Sequence, residues 1–222
     1  MANPARPRPG RPPRITGERL QAAILEIEGE VPTMQSLARQ LGVGVATLYS
    51  HVRGQEELRR LAADTVFDGW TLPEATPEMH WAEWALTYAR GARRMIERYP
   101  TAHGSRPLGG GQLRYVERVL ARLVSFGMTS SEALHTFYPI ALLILGVGAQ
   151  IEATQEEEAN AGLDIWAIFQ DVIAAHPAPL PTLRTLDRTG IPNLDDAFDE
   201  LVWFTLNGIA RKRGEVLPPL AR

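Results

Sequence analysis

The stretch from Thr33 to Leu58, TMQSLARQLGVGVATLYSHVRGQEEL, decides how this 222-residue chain is read. Met34, Leu37, Ala38 and Leu41 recur at the spacing of one buried helical face, and Gly42 then breaks the pattern. Val45, Leu48, Tyr49 and Val52 begin a second stripe, with Gly44 at a position where glycine is a tolerable N-cap. Two short helices around a tight Leu41-Gly42-Val43 turn have the layout of a helix-turn-helix.

The second helix matters for what it leaves outside. With Leu48 and Val52 packed inward, Thr47, Ser50 and His51 share the outward face, with Ala46 nearby. Such small or hydrogen-bonding side chains, near the start of a recognition helix, suit base edges in the major groove. Thr33 stands where an N-cap opens the first helix, placing its hydroxyl and the following amides within reach of a phosphate. Taken alone, the pattern also fits a plain helical corner in an all-α core.

Working outward, Arg14 to Leu61 resembles the N-terminal domain of the TetR family of transcriptional repressors. The resemblance rests on Ile15 and the helix LQAAILEI, on Thr33, Leu37-Ala38 and Leu41-Gly42-Val43, and above all on Thr47-Leu48-Tyr49 with His51 and Leu58. It implies an all-helical homodimer that binds a palindromic operator and is released by a small molecule held in the C-terminal domain. By matching position it makes Thr33, Gln35, Val45, Ala46, Thr47, Tyr49, Ser50 and His51 the expected DNA contacts. Three positions depart from the family pattern: Gly44 replaces a serine, Val52 a phenylalanine, and Gln55 a lysine that approaches a phosphate. The loss of that lysine passes the phosphate role to nearby Arg53.

Composition agrees with a folded, non-secreted protein. A hydrophobic content of 45% supplies a core, and the absence of cysteine excludes disulfides and thiolate zinc sites. The N-terminus has no signal-peptide core, and the longest apolar run, 137–151, is broken by Pro139, Gly146 and Gly148, so a cytoplasmic location is expected. The net charge of −3 is unevenly placed. Nine arginines face six glutamates in the first 60 residues, leaving +3 there, and 14 basic against 20 acidic residues leave −6 in the rest. A basic head on an acidic body fits a DNA reader joined to a separately employed domain.

Three segments follow: a flexible basic arm over 1–13, the helix-turn-helix domain over 14–61, and a ligand-binding and dimerisation domain over 62–222. The arm, MANPARPRPGRPP, mixes arginine with helix breakers; its arginines either follow phosphates or enter a minor groove, or the arm merely solvates the chain end. A first helix is expected from about Thr16 to Glu28, and a fourth, from Gln55 to about Trp70, joins head to body. In the family, this fourth helix transmits the ligand signal.

In the body, Thr76 and Pro77 are expected to open a helix running to Tyr99, carrying Trp81, Trp84 and Tyr88. Residues 100–111 are too rich in proline and glycine for a helix and lack the context of a phosphate-binding loop, which leaves a flap beside a pocket. A helix over Gln112–Phe126 should bury Leu113, Val116, Leu120 and Leu123. A capping box at Thr129–Glu132 should open a long apolar helix through Tyr138, Leu142 and Leu145, and Asn193 should cap the last one. Those two apolar helices suit either a dimeric four-helix bundle or an intramolecular core.

Residues 94–152 are also similar, more loosely, to the ligand domain of the tetracycline-responsive branch, through RYP-x-H-x-SRP, SSEA and Leu145-Gly146. That branch holds a metal-chelated drug with a histidine, a threonine and a glutamate. Here His103 is only near its expected place, Ser105 replaces the threonine, and Gln150 stands where the carboxylate is expected. A neutral amide is a poor ligand for a hard divalent cation, so a metal-free, largely apolar effector is expected, with no cofactor. The candidate pocket residues are Trp84, Tyr88, His103, Phe126, Tyr138 and Leu142.

Catalysis is not expected. The five histidines are scattered, and HExxH, GxSxG and a cysteine nucleophile are missing. The sequence therefore reads as a ligand-responsive repressor, with a helical protein-interaction module lacking DNA readout as the alternative.

Overall fold

The computed structural model describes residues 15–102, 109–161, 165–186 and 194–217, and every element among them is helical. The basic arm, His103, Ser105 and Asn193 lie outside the described residues, and of the Gln150 side chain nothing is described.

Four helices build the head. Thr16 caps α1 (Gly17–Leu25) by accepting the N–H of Arg19. Thr33 and Ser36 cap α2 (Met34–Leu41) reciprocally, the Ser36 N–H donating to Thr33 Oγ1 at 3.0 Å and the Thr33 N–H to Ser36 Oγ at 2.9 Å. Gly42 ends α2 at φ 68°, a left-handed position that a side chain would strain. The chain then turns into α3 (Val45–Leu48) and on to α4 (Gln55–Gly69). Ile24, Leu37, Leu48, Val52 and Leu58 are at most 1% exposed and meet in one apolar cluster. Burying a leucine such as Leu48 contributes about 1.5–3 kcal/mol.

The helix α4 belongs to two cores at once. Leu58 and Ala62 close the head cluster, whereas Ala63, Val66 and Phe67 enter the larger cluster of the body. The body is built from α5 (Trp81–Arg98), a 3-10 turn at Pro100–Ala102, α6 (Gly110–Ser125), α7 (Ser130–Ala161), α8 (Ile165–Ala175), α9 (Pro181–Arg184) and α10 (Leu194–Lys212). The capping box expected at the start of α7 is formed, with the Thr129 N–H donating to Glu132 Oε2 at 2.7 Å. An ion pair holds α10 on α5, Arg90 Nε donating to both oxygens of Asp199 at 2.9 and 3.0 Å.

Two expectations are corrected, and a third point is one that the sequence leaves open. The helix after the linker starts at Trp81 rather than Pro77, because the Thr76 carbonyl accepts the Met79 N–H in a turn and His80 takes over the cap. Leu113 is 55% exposed, since α6 turns Tyr115 and Val119 inward instead, while Leu123 is buried as expected. Its start at Gly110, two residues early, lets Gly111 pack on α4 and sets that rotation. Lastly, α7 and α10 are each buried on one side only: Ala133, Ile140 and Ile144, and Phe198, Val202 and Leu206, face the core, while Leu134, Tyr138, Leu142, Leu201 and Phe204 face outward. Residues 130–149 of α7 are long and apolar enough to cross a membrane by composition, but one face of this segment is core.

Candidate functional site

The candidate recognition surface follows from how little of α3 and the turn after it is buried. The second helix, expected to reach Val52, ends at Leu48 and continues as a turn. Leu48 and Val52 are anchored at 0% and 1% exposure, and Val45 packs half-buried against the same cluster. The opposite side therefore carries Ala46, Thr47, Tyr49, Ser50 and His51, all exposed, with Tyr49 at 55%. Ser50 Oγ donates to the Thr47 carbonyl at 2.7 Å, which fixes its rotamer and leaves lone pairs for an incoming donor. Thr33 and Gln35 are exposed at the start of α2, so the first turns of α2 and α3 offer one polar surface.

Gln55 takes a different part from the one expected. Its side-chain N–H donates to the Pro32 carbonyl at 2.7 Å, and its Oε1 accepts the Met34 N–H at 3.3 Å. It clamps the start of α4 to the start of α2, occupying one of the free amides at the N-terminus of α2. Arg53 remains exposed, while its backbone N–H donates to Glu57. A second brace crosses the head, where Arg19 Nη2 donates to the Leu41 carbonyl at 2.9 Å. These contacts brace α2 against α4 at its start and against α1 at its end.

The body has a polar point inside an aromatic cluster. Trp84 is 0% and Tyr88 1% exposed, and their rings stack at 5.5 Å with 11° between planes. Phe126 lies 6.0 Å from Trp84. The Tyr88 hydroxyl meets the Tyr115 hydroxyl at 2.7 Å, and Phe67 and Trp70 cover Tyr115 at 4.9 and 5.7 Å. Burial pushes both phenols up, Tyr88 well above its ordinary value, and the neighbouring Tyr115 adds to that shift. A pair of hydroxyls can satisfy only one of its two hydrogens internally, so one donor is left for an acceptor of another kind.

The structure brings Trp84, Tyr88 and Phe126 together and separates the other described candidates from them. Tyr138 and Leu142 stand on the outward face of α7, at 59% and 52% exposure. Sequence reasoning missed Phe67, Trp70 and Tyr115. An aromatic on an apolar stripe carries no sign of which other helix it will meet, so periodicity alone could not select them. Among the described residues no group of histidines and carboxylates is placed to hold a metal ion.

Head and body are joined through α4. Asp64 Oδ1 accepts the N–H groups of Gly111 and Gln112 at 3.0 and 3.3 Å, capping α6. Arg118 Nη2 donates to the carbonyls of Phe67 and Trp70 at 2.7 and 3.2 Å, capping the other end of α4. At the far side, the Gly29 N–H donates to the Arg98 carbonyl at 2.8 Å. α5 thus touches the head directly, and α6 touches the helix that carries it.

A small helix-turn-helix head carried on a larger helical body by one shared helix is the build of a one-component regulator, in which DNA and effector sites lie on one chain. Residues 72–213 match the family model described as the tetracyclin repressor-like C-terminal domain. The chain belongs to the TetR family of transcriptional regulators, proteins that respond to small-molecule effectors and are not enzymes. A curated relative, the HTH-type transcriptional repressor DrrR1 of Streptomyces coeruleorubidus, is 28% identical and aligns over 96% of this chain and 85% of its own length. Among solved structures, the Streptomyces coelicolor TetR family protein ActR in complex with actinorhodin has a TM-score of 0.67 and 25% identity, covering 91% of this chain and all of ActR. A TetR variant from Acinetobacter baumannii AYE in complex with minocycline has a TM-score of 0.60 at 19% identity, covering 90% and 99%, and shows the shared fold.

Proposed function

We propose that the chain is a cytoplasmic repressor that binds a palindromic operator as a homodimer and is released by a flat, largely apolar effector. The observation that carries this reading is the division of α3 and the turn that follows it, with Leu48 and Val52 buried and Thr47, Ser50 and His51 exposed on the outside. Residues 14–61 form the reading head and 62–222 the effector and dimer domain. Ala46, Thr47, Tyr49, Ser50 and His51 face the major groove, Val45 stands at its edge, and Thr33, Gln35 and Arg53 meet phosphates. Two heads spaced about 34–36 Å apart, or a multiple of it, match successive turns of the duplex.

The effector site is centred on Trp84, Tyr88 and Phe126 with Tyr115, where aromatic rings accept a flat molecule and the remaining hydroxyl hydrogen meets an oxygen on it. The actinorhodin complex of ActR supports an effector of small-molecule size in this domain. Because Phe67 and Trp70 of that cluster sit at the end of α4, occupancy displaces α4 and changes head spacing, so DNA and effector oppose each other reciprocally.

Fluorescence anisotropy on DNA from upstream of the chain's own gene, against scrambled DNA over a salt series, tests the reading. Sequence-preferring binding that weakens linearly in log salt is expected. Binding without preference for any fragment of a genomic library, and insensitive to salt, overturns it in favour of a protein-docking head.

A further inference from the structure

On the outside of the molecule, where α4 ends against α6, lies a cleft of about 650 Å³ that meets the aromatic cluster at Trp70. Its apolar walls are Trp70, Leu72 and Ala121, and its charged groups are Asp68, Arg118 and Arg122. Two of these charges are already engaged. Asp68 accepts from Arg114, with Nε to Oδ1 at 2.9 Å, and Arg118 donates to the two carbonyls that end α4. Arg122, half-buried, has no side-chain hydrogen bond or ion pair among the described residues. The cleft therefore pairs one unused guanidinium with an aromatic wall.

That wall is held in place from behind. The other contacts of the Trp70 ring are Tyr88 and Tyr115, at 5.9 and 5.7 Å, and Gly91 makes room for it, since a Cβ there would lie 3.1 Å from Trp70 Cζ2. A fixed indole surface beside a guanidinium that needs a counter-charge is pre-organised for a ligand with both features. The volume lies within the range of small-molecule sites.

We propose that this cleft binds a flat aromatic carboxylate, its ring against Trp70 and Leu72 and its carboxylate on Arg122. A partly buried guanidinium favours a carboxylate over a neutral group because it makes two parallel charge-assisted hydrogen bonds to it. The cleft shares Trp70 with the effector cluster of the repressor reading but does not depend on that reading, since Arg122 and Ala121 lie outside the cluster. It touches Asp68 and Trp70 at one end of the helix whose other end anchors the head, so a ligand here bears on the same lever from outside.

Isothermal titration of the full-length chain with 2-naphthoate, and with neutral 2-naphthamide as counter-probe, tests this. One saturable 2-naphthoate site per chain is expected, weakened at least tenfold by Arg122→Ala and likewise by Ala121→Trp, which fills the cleft. Arg94→Ala, at an exposed arginine elsewhere, should leave it unchanged, and 2-naphthamide should bind equally to wild type and Arg122→Ala. Absence of saturable binding to wild type overturns the proposal. So does 2-naphthoate affinity that survives both cleft variants, with circular dichroism showing each folded.

Discussion

The carboxylate of Asp64 in the middle of α4 caps α6 by accepting the Gly111 N–H at 3.0 Å, and the backbones approach so closely that a Cβ on Gly111 would lie 2.3 Å from the Asp64 carbonyl oxygen. The helix that carries the head is thus bolted to the body at a point where only glycine fits. Gly111→Ala should force α6 away from α4 and destabilise the chain by about 1–3 kcal/mol. Asp64→Ala, which leaves the backbone fit intact but removes the cap, should cost about 0.5–2 kcal/mol. Urea denaturation followed by circular dichroism measures both, and a neutral Gly111→Ala would mean that α4 and α6 do not meet this closely.

Thr47 on α3 and His51 in the turn after it are exposed and do not contribute to the head cluster. Thr47→Ala and His51→Ala should each weaken operator binding by about 1–3 kcal/mol while leaving thermal stability unchanged. Unchanged affinity in both variants, measured by anisotropy, would remove α3 from the groove.

The buried phenols set an alkaline limit on stability. Both are raised by burial, so in the folded chain they keep their protons where the unfolded chain, titrating near 10, has lost them. The stability this confers is complete below about pH 10 and is lost as pH rises toward the folded values. Two of the five tyrosines should therefore resist ionisation at 295 nm until the chain unfolds. Tyr88→Phe should move alkaline unfolding to higher pH, and five tyrosines titrating together near pH 10 would contradict the buried pair.

Phe204 is 70% exposed on α10, and Tyr138 is 59% exposed on α7, the helix packed beside it. Large apolar side chains left exposed on two packed helices are the pattern of an interface. Phe204→Glu should convert a dimer to a monomer in sedimentation equilibrium and abolish high-affinity operator binding with the head still folded. A wild-type chain that sediments as a monomer at micromolar concentration would count against this face as the dimer contact.

The sequence by itself determined the head. Leu37, Leu41, Leu48 and Val52 are close in the chain, their helical spacing states which side is buried, and the side left over is the candidate recognition surface. Short-range pattern suffices there because the two helices are joined by a three-residue turn that leaves one way to pack. The same local logic placed the capping box at Thr129 and the ending of the first body helix near Arg98.

Tertiary structure alone decided the body. Whether a long apolar stripe faces its own core or a second subunit depends on which helices cover it, so Tyr138 and Leu142 moved from candidate pocket to outer face. Rotation of α6 was set by the fit of Gly111 on Asp64, a contact 47 residues distant in the chain, and that rotation buried Tyr115 and exposed Leu113. The Tyr88 and Tyr115 hydroxyls, 27 residues apart, become a pair only where α5 and α6 meet. Periodicity records which residues on one helix share a face, while partners across helices are selected by packing, which no single stretch of sequence contains.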